Sequence, residues 1–232
     1  MCRQGGETLV RDLIETEAPR AESYRLLSAL FCLPDLALFT EERVAARLAE
    51  ALGPVAPGAA AKARRLGEVL EGAEETALRV DYARLFVGPG ELLAPPYGSV
   101  YLEEGRVVMG PSTQDVIRRY EDEGIAVDPE FQELPDHISA ELEFLYVLAF
   151  RCRDAAARAD EAAVRAYRRK QGEFLRDHLL RWGPEFAGRV EERAGQGFYR
   201  ELARCLRAFL AESEARYAAE ALGTEEARAA TP

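Results

Sequence analysis

The chain has 232 residues, 48% of them hydrophobic, and a net charge of −11 from 30 basic and 41 acidic residues. This length suits one large domain or two small ones, which bury roughly 70–75% of the unfolded surface and need no disulfide or metal to fold. The acidic balance argues against nucleic acid as the main partner. No apolar run approaches the roughly 20 residues that span a bilayer, and no apolar leader core follows Met1. We therefore expect a cytoplasmic protein.

Helical spacing dominates the first part of the chain. Apolar residues step by threes and fours in a first stripe of Tyr24, Leu27, Leu30 and Phe31. Pro34 predicts the end of that helix. Thr40 followed by Glu41-Glu42 predicts a helix cap with acidic residues in the first turn. The alanine-rich segment 53–63 fits either a surface loop or the start of a helix.

Two irregular, proline-bearing stretches interrupt the helical pattern, at 86–101 and 124–137. Segment 100–109 fits a short isolated hairpin around Glu104-Gly105. Ser112 with Asp115 three residues later predicts a capping box, and the helix that follows should end near Gly124. Loops carry function more often than helix interiors do, so both stretches are candidate sites.

The second half contains three longer helical stripes. They comprise Ile138, Leu142, Leu145 and Ala149; Val164, Tyr167, Gln171, Phe174, Leu175, His178, Leu179 and Trp182; and Phe198, Leu202, Cys205, Leu206, Phe209 and Leu210. His178 and Trp182 are therefore predicted core residues, the former hydrogen-bonded. Gly183-Pro184 predicts the end of the second stripe's helix. Beyond Leu222 the periodicity is lost, and this end is expected to fray.

These patterns predict an all-α protein, a single globular helical domain of eight to ten helices. We divide it into an N-terminal extension, an N-terminal helical half, a hinge-like loop, a C-terminal helical half and a tail: 1–19, 20–123, 124–137, 138–212 and 213–232. The four cysteines show no C-x-x-C pair, and there are only two histidines. No metal site or cofactor is therefore predicted from these residues.

The negative charge is concentrated in residues 121–143, which hold no lysine or arginine. The nine acidic residues are Glu121, Asp122, Glu123, Asp128, Glu130, Glu133, Asp136, Glu141 and Glu143. Such a run is either a solvated acidic face or a docking site for a cationic partner. A partner with both arginine and an apolar stretch fits best, since the guanidinium pairs two carboxylate oxygens at once.

Asp136, His137 and Glu141 form the only acid–imidazole cluster. Glu141 follows His137 by four residues and so shares its helix face, which would suit a general acid–base pair. The alternative is that Asp136 is an N-cap and His137 a first-turn residue. The chain lacks G-x-S-x-G, P-loop, H-E-x-x-H and G-x-G-x-x-G motifs, which makes the enzyme hypothesis the weaker one.

Several ordered motifs resemble the TorD/DmsD family over roughly residues 20–212. They are Tyr82-Ala-Arg-Leu-Phe-Val-Gly-Pro89, Pro95-Pro-Tyr-Gly-Ser-Val-Tyr101, Glu133-Leu-Pro-Asp-His137, Glu141-Leu-Glu-Phe-Leu145 and Phe174-Leu-Arg-Asp-His-Leu-Leu-Arg-Trp182. The resemblance implies an all-helical fold. It also implies a cytoplasmic chaperone that binds a molybdenum-containing oxidoreductase before export, often at its twin-arginine signal peptide. Some members form dimers by exchanging halves.

The resemblance implies a peptide-binding site at Tyr82, Leu85, Phe86, Pro96, Tyr97, Gly110, Pro135, Asp136 and His137. To these we add the carboxylates Glu121, Asp122, Glu123, Glu133 and Glu141. In this hypothesis an apolar surface lies beside the acidic run and consists of Leu85, Phe86, Pro96 and Tyr97. Two alternatives stay open: a chaperone whose client lacks a signal peptide, and an enzyme that uses the acid–imidazole cluster.

Overall fold

The computed structural model describes residues 3–88, 92–126 and 133–229, with side chains between 16 and 219. Within those residues it contains eleven α-helices and no strand. The all-α prediction is therefore confirmed. The helices are α1 (Arg3–Leu30), α2 (Leu36–Glu41), α3 (Val44–Leu52), α4 (Pro57–Leu70), α5 (Glu75–Tyr82), α6 (Ser99–Leu102), α7 (Pro111–Asp122), α8 (Ile138–Ala157), α9 (Glu161–Phe174), α10 (Leu180–Arg193) and α11 (Gly197–Ala229).

Two π-helical turns, Ala83–Val87 and Leu175–Leu179, continue α5 and α9. Helix α8 packs along α1 and α9, while α11 packs along α4 and α10. One core joins these layers, and its largest fully buried aromatic side chains are Trp182, Tyr24, Tyr199, Phe31, Phe174, Phe186, Phe198 and Phe209. Trp182 and His178 are buried as predicted, and His178 Nε2 lies 2.7 Å from Asp115 Oδ2.

The predicted cap at Thr40 is wrong. Asp35 caps α2, since its carboxylate accepts a hydrogen bond from the Leu38 N–H at 2.9 Å. This earlier cap places Thr40 inside α2, where its hydroxyl donates to the Leu36 carbonyl. Helix α3 then begins after Arg43, which has a φ of 50°.

Of the two interpretations of segment 53–63, the helix start is the right one. Pro57 occupies the first turn of α4, and the small side chains of Ala59, Ala60 and Ala63 are fully buried. The Glu212 carboxylate of α11 accepts hydrogen bonds from the Gly58 and Ala59 N–H groups at 3.1 and 2.9 Å. Glu212 thus satisfies N–H groups at the start of α4 for which the residues before that helix provide no side-chain cap.

The predicted hairpin at 100–109 is also wrong. The segment forms α6 and a 3₁₀ turn, Glu104–Arg106, with Gly105 at a φ of 77°. The capping box at Ser112 is not formed either, because α7 begins at Pro111. The Glu103 carboxylate instead accepts from the Ser112 N–H at 2.7 Å, and Asp115 pairs with Arg119.

Pro184 does not end a helix but lies inside α10. Trp182 and Phe186, on either side of the proline, are both 0% exposed. Proline has no N–H to donate to the preceding helical turn, which costs the helix one hydrogen bond. The burial of Trp182 and Phe186 in the core outweighs this cost, so the helix continues. At the other end of the chain, α11 continues through the predicted tail as far as Ala229.

Candidate functional site

The two proline-bearing connectors meet in an antiparallel bridge between Tyr97 and His137. The Ile138 N–H donates to the Pro96 carbonyl at 2.8 Å, and the Gly98 N–H donates to the Asp136 carbonyl at 2.9 Å. The Tyr120 hydroxyl donates to the Pro135 carbonyl at 2.9 Å, which ties the bridge to α7. Backbone bonds therefore fix the relative position of the connectors.

Asp136 and His137 divide the capping between two helices. The prediction that Asp136 caps α8 is wrong: its Oδ2 accepts from the Ser99 N–H at 2.7 Å and so caps α6. His137 is the N-cap of α8, with Nδ1 accepting from the Ser139 N–H at 3.1 Å. Burial lowers the His137 pKa to about 4, so the imidazole is neutral at pH 7.

Glu141 points into the core rather than toward His137. Its carboxyl is 1% exposed, and Oε2 accepts a hydrogen bond from the Trp182 indole N–H at 3.1 Å. Burial raises the pKa of Glu141 well above its ordinary value. Asp136, His137 and Glu141 thus bind three different partners, and no proton relay connects them through the hydrogen bonds of the described residues.

Tyrosines and carboxylates surround the outer side of the bridge. The Tyr97 hydroxyl donates to Glu133 Oε2 at 2.6 Å, and the Tyr97 ring packs edge-on against His137 with centroids 5.4 Å apart. Burial and the nearby Glu133 carboxylate raise the Tyr82 pKa to about 12. Burial, Glu143 and Glu133 together raise the pKa of the Cys32 thiol. Glu133 thus neighbours both the buried Tyr82 and the exposed Cys32.

Leu85, Phe86 and Pro96 do not offer the expected apolar surface. Leu85 is 0% and Phe86 4% exposed, and Pro96 is buried. The Phe86 ring packs against Tyr82 and Tyr199 at centroid distances of 5.2 and 5.5 Å. These side chains belong to the core, whereas Tyr97 is only partly buried.

Gly110 lies at the start of α7. The side chain nearest to it is that of Glu103, which is not a residue of the bridge. A side chain there would collide with Glu103, whose carboxyl carbon would lie 2.7 Å from the added Cβ. Gly110 therefore lets Glu103 reach the Ser112 N–H. Its absence of a side chain has a packing explanation independent of any ligand.

The acidic segment does not form one free face. Glu123 pairs with Arg151 at 2.8 Å and also with Lys170, and its side chain is 5% exposed. Glu121 and Asp122 are exposed at the end of α7. Asp128 and Glu130 lie outside the described residues. Glu133 has no ion pair within the described ranges, and its one hydrogen bond comes from Tyr97.

Sequence reasoning missed Cys32 and Glu143 as neighbours of this surface. Cys32 follows α1 and is exposed, while Glu143 lies on the outer face of α8. Their proximity arises because the end of α1 packs beside the start of α8, where the Ser28 hydroxyl donates to the Ser139 carbonyl at 2.9 Å. A separation of 111 residues along the chain left no local signal for this contact.

A separate open cavity of about 450 Å³ lies beside α5, lined mainly by Ala77, Val80, Asp81 and Arg84. The Asp81 carboxylate is fully engaged, because it accepts from the Gly195 and Gln196 N–H groups and from Arg84. Across the part of the chain that the structure describes, no three metal-ligating side chains come together. No helix there combines the length and apolarity that a bilayer crossing requires.

Comparison with known proteins identifies the family. Residues 53–188 match the family model described as the nitrate reductase delta subunit. The chain is 31% identical over 196 residues to the chaperone protein TorD of Shewanella loihica. The matched region covers 80% of this chain and 86% of that one. It is 35% identical over 114 residues to the chaperone protein TorD of Psychrobacter sp., covering 49% of each chain.

A solved structure has the same fold. It is described as a putative redox enzyme maturation protein from Archaeoglobus fulgidus, with a TM-score of 0.53 and 28% sequence identity, and the match covers 82% of this chain and 93% of that one. The chain thus has the helical fold of that maturation protein. The chain belongs to the nitrate reductase delta subunit family, the family of the TorD chaperones, which confirms the resemblance in the motifs. It spans about half to three fifths of the first curated relatives that it matches.

Proposed function

We propose that the protein is a system-specific cytoplasmic chaperone for a molybdopterin-dependent oxidoreductase. It binds the apo-form of that enzyme at a twin-arginine signal peptide and holds it during cofactor insertion, before export. Family membership and the chaperone names of the relatives support the chaperone role. The observation that carries the peptide site is Glu133, a carboxylate held by the Tyr97 hydroxyl with no cation paired to it among the described residues.

The bridge makes Glu133 a preorganised acceptor. Tyr97 holds one carboxylate oxygen, and the backbone bonds of Pro96 and Asp136 hold Tyr97. An incoming guanidinium can then pair with the remaining lone pairs in a fork geometry. Because the site is ordered before the peptide arrives, less conformational entropy is lost on binding.

The proposed site residues fall into two groups by the role that we assign to them. Those that can meet a peptide directly are exposed or partly buried: Tyr97, Glu121, Asp122 and Glu133. The others position them from the core, the cap or the helix starts: Tyr82, Leu85, Phe86, Pro96, Gly110, Glu123, Pro135, Asp136, His137 and Glu141. Exposed ion pairs contribute about 0–1 kcal/mol each, so apolar contacts must supply most of the affinity.

Calorimetry with a synthetic twin-arginine signal peptide at two salt concentrations tests this function. We expect binding that weakens with salt and that weakens further in the triple variant of Glu121→Lys, Asp122→Lys and Glu133→Lys. Glu123 is left intact because its pairs with Arg151 and Lys170 are structural. Lysine substitutions at three other exposed acidic residues, Glu50, Glu71 and Glu192, are the charge-matched control. Equal affinity for all variants, without salt dependence, would remove the acidic docking site.

Two other hypotheses have their own tests. A pull-down from cells, followed by identification of the captured protein, tests for a client without a signal peptide: the captured protein would then carry no twin-arginine leader. An enzyme that uses Asp136, His137 and Glu141 is not supported, because their hydrogen bonds lead to Ser99, Ser139 and Trp182.

Dimerisation by segment exchange about residues 124–137 belongs to the same proposal. Residues 127–132 of that hinge lie outside the described residues. Light scattering at increasing protein concentration checks the exchange: a dimer that forms slowly and persists on dilution supports it, and a monomer at every concentration contradicts it.

A further inference from the structure

Helices α1 and α8 lie side by side and run in opposite directions. Near the end of α1, Ser28 bonds to Ser139 at the start of α8. At the other end, Glu17 of α1 lies close enough to Cys152 of α8 to affect its thiol pKa, which burial raises to about 12. The two helices therefore share a long outer surface that begins beside the Tyr97–His137 bridge.

That surface carries a strip of side chains at helical spacing, which we call the α1–α8 strip. It consists of Ala29, Cys32 and Leu33 from the α1 side and Glu143, Tyr146, Val147 and Phe150 from α8. Leu33 is 58% and Phe150 36% exposed, and Tyr146 packs 6.0 Å from Phe150 between ring centroids. An apolar stretch of the outer surface is thus continuous with the candidate site.

The end of the strip beside the bridge is acidic. Glu143 is exposed and Glu133 is partly buried, and both carboxylates raise the pKa of the Cys32 thiol. Neither carboxylate has an ion pair to a lysine or arginine among residues 16–88, 92–126 and 133–219. Two unneutralised carboxylates therefore lie at this end of the strip, where the Ser28–Ser139 hydrogen bond joins α1 to α8.

The opposite end of the strip carries two arginines, of which Arg153 is paired with Asp154 at 2.9 Å. The Arg153 guanidinium lies over the Phe150 ring at 4.1 Å, and Arg158 is exposed at the end of α8. The strip thus has unpaired carboxylates at one end and the exposed Arg158 at the other, while Arg25 of α1, paired with Glu22, lies beside Tyr146 between them. A bound segment with positive charge at one end meets attraction in one orientation and repulsion in the other.

We infer that the α1–α8 strip binds a client segment in which paired arginines precede an apolar stretch. The arginines lie at Glu133 and Glu143, and the apolar residues lie over Val147 and Phe150. The inference rests on the proposed function and adds to it a surface and an orientation. The reverse orientation would bring the arginines against Arg153 and Arg158.

The dimensions of the strip limit the apolar part that it contacts. From Glu143 to Phe150 is seven residues of helix, or about 10 Å at about 1.5 Å per residue. That length matches about three residues of an extended chain or about seven of a helical one. The strip therefore recognises the first turn or so of the apolar stretch rather than all of it.

Cys32 gives a direct test of orientation. The probe is a synthetic peptide of two arginines followed by ten leucine and alanine residues, carrying a bromoacetyl group at either the arginine end or the apolar end. The protein carries Cys2→Ser, while Cys152 and Cys205 are buried. Because the Cys32 pKa is raised, alkylation without binding is slow.

Mass spectrometry should find Cys32 alkylated at least about tenfold faster by the arginine-end probe, since bound proximity multiplies the effective concentration. Equal rates, or faster reaction of the apolar-end probe, would overturn the orientation. Free bromoacetamide measures the intrinsic reactivity of the thiol.

Affinity measurements with the unlabelled probe test the surface. Glu143→Gln should weaken binding by as much as about fivefold and Glu143→Lys by more, as for exposed ion pairs. Phe150→Gln should weaken it by about tenfold through lost apolar contact. Glu50→Lys and Leu38→Gln make matched changes at exposed positions outside the strip and should leave affinity unchanged.

The outcomes separate the surface from the function. Wild-type binding with unaltered affinity in the Glu143 and Phe150 variants would overturn the strip and leave the proposed function standing. Weakening by Leu38→Gln alone would place the apolar contact beyond the end of α1 and also overturn it. If the wild-type protein binds no arginine-bearing peptide, both the function and the strip fail. Circular dichroism melting confirms that each variant is folded.

Discussion

Replacing Glu141 by glutamine should make the stability of the protein less dependent on pH. The Glu141 carboxyl is 1% exposed and accepts one hydrogen bond, from the Trp182 indole. Burial raises its pKa well above the ordinary 4.5, and the neighbouring Asp136 carboxylate acts in the same direction. The folded protein therefore keeps a proton at Glu141 that the unfolded chain releases.

The direction of the effect follows from this difference in bound protons. Above pH 4.5 the folded state binds more protons than the unfolded state, so the free energy of unfolding falls as pH rises toward the folded pKa. The slope from a single group reaches about 1.4 kcal/mol per pH unit. Glutamine is nearly isosteric, still accepts from Trp182 and has no proton to lose. Its advantage over the wild type should therefore grow with pH.

Urea unfolding in half-unit steps from pH 5 to pH 9 measures the effect. The difference between the Glu141→Gln and wild-type curves isolates this group, because every other titrating residue is common to both. Glu143→Gln, an exposed position on the same helix, is the control and should give a curve parallel to the wild type. Parallel curves for Glu141→Gln and the wild type would refute the reasoning.

Three further predictions concern Tyr97, the two histidines and Glu212. Tyr97→Phe removes the hydroxyl that donates to Glu133 and should cost about 1 kcal/mol in urea unfolding; no loss would mean that the bond is absent in solution. Burial lowers the pKa values of His137 and His178 to about 4, so stability should fall as pH drops from about 6.5 to 4, by up to about 3 kcal/mol each; NMR titration midpoints near 6.5 would contradict this. Glu212→Ala removes the acceptor for two N–H groups of α4 and should cost about 1–2 kcal/mol, whereas the exposed Glu214→Ala should cost almost nothing; equal losses in thermal melts would contradict the cap.

Residues whose environment is set by their own helix were predictable from the sequence. Trp182 and His178 lie on a stripe with period 3.6, and the structure buries both. The all-α fold follows from the same periodicity, since each stripe needs a partner helix to cover it. Pro184 is the exception, because its neighbours' burial in the core outweighs its own preference.

Residues whose partners are distant in the chain were mispredicted. Asp136 and His137 are both good caps, and a local rule could not tell that Ser99, 37 residues away, takes the first of them. Glu123 likewise looked like a free carboxylate until Lys170, 47 residues away, paired with it. Propensities and motifs use information from about one helical turn of sequence. They cannot predict hydrogen bonds between residues that are tens of positions apart.

The pairing of α1 with α8 and of α4 with α11 bears on how the chain acquires its fold during synthesis. Both early helices can pack against α3 at once, but α8 and α11 follow only after more than half of the chain has been made. The faces of α1 and α4 that these late helices cover stay exposed until then, and bare apolar faces aggregate readily. A protein proposed to shelter an unfinished client passes through the same exposed condition itself.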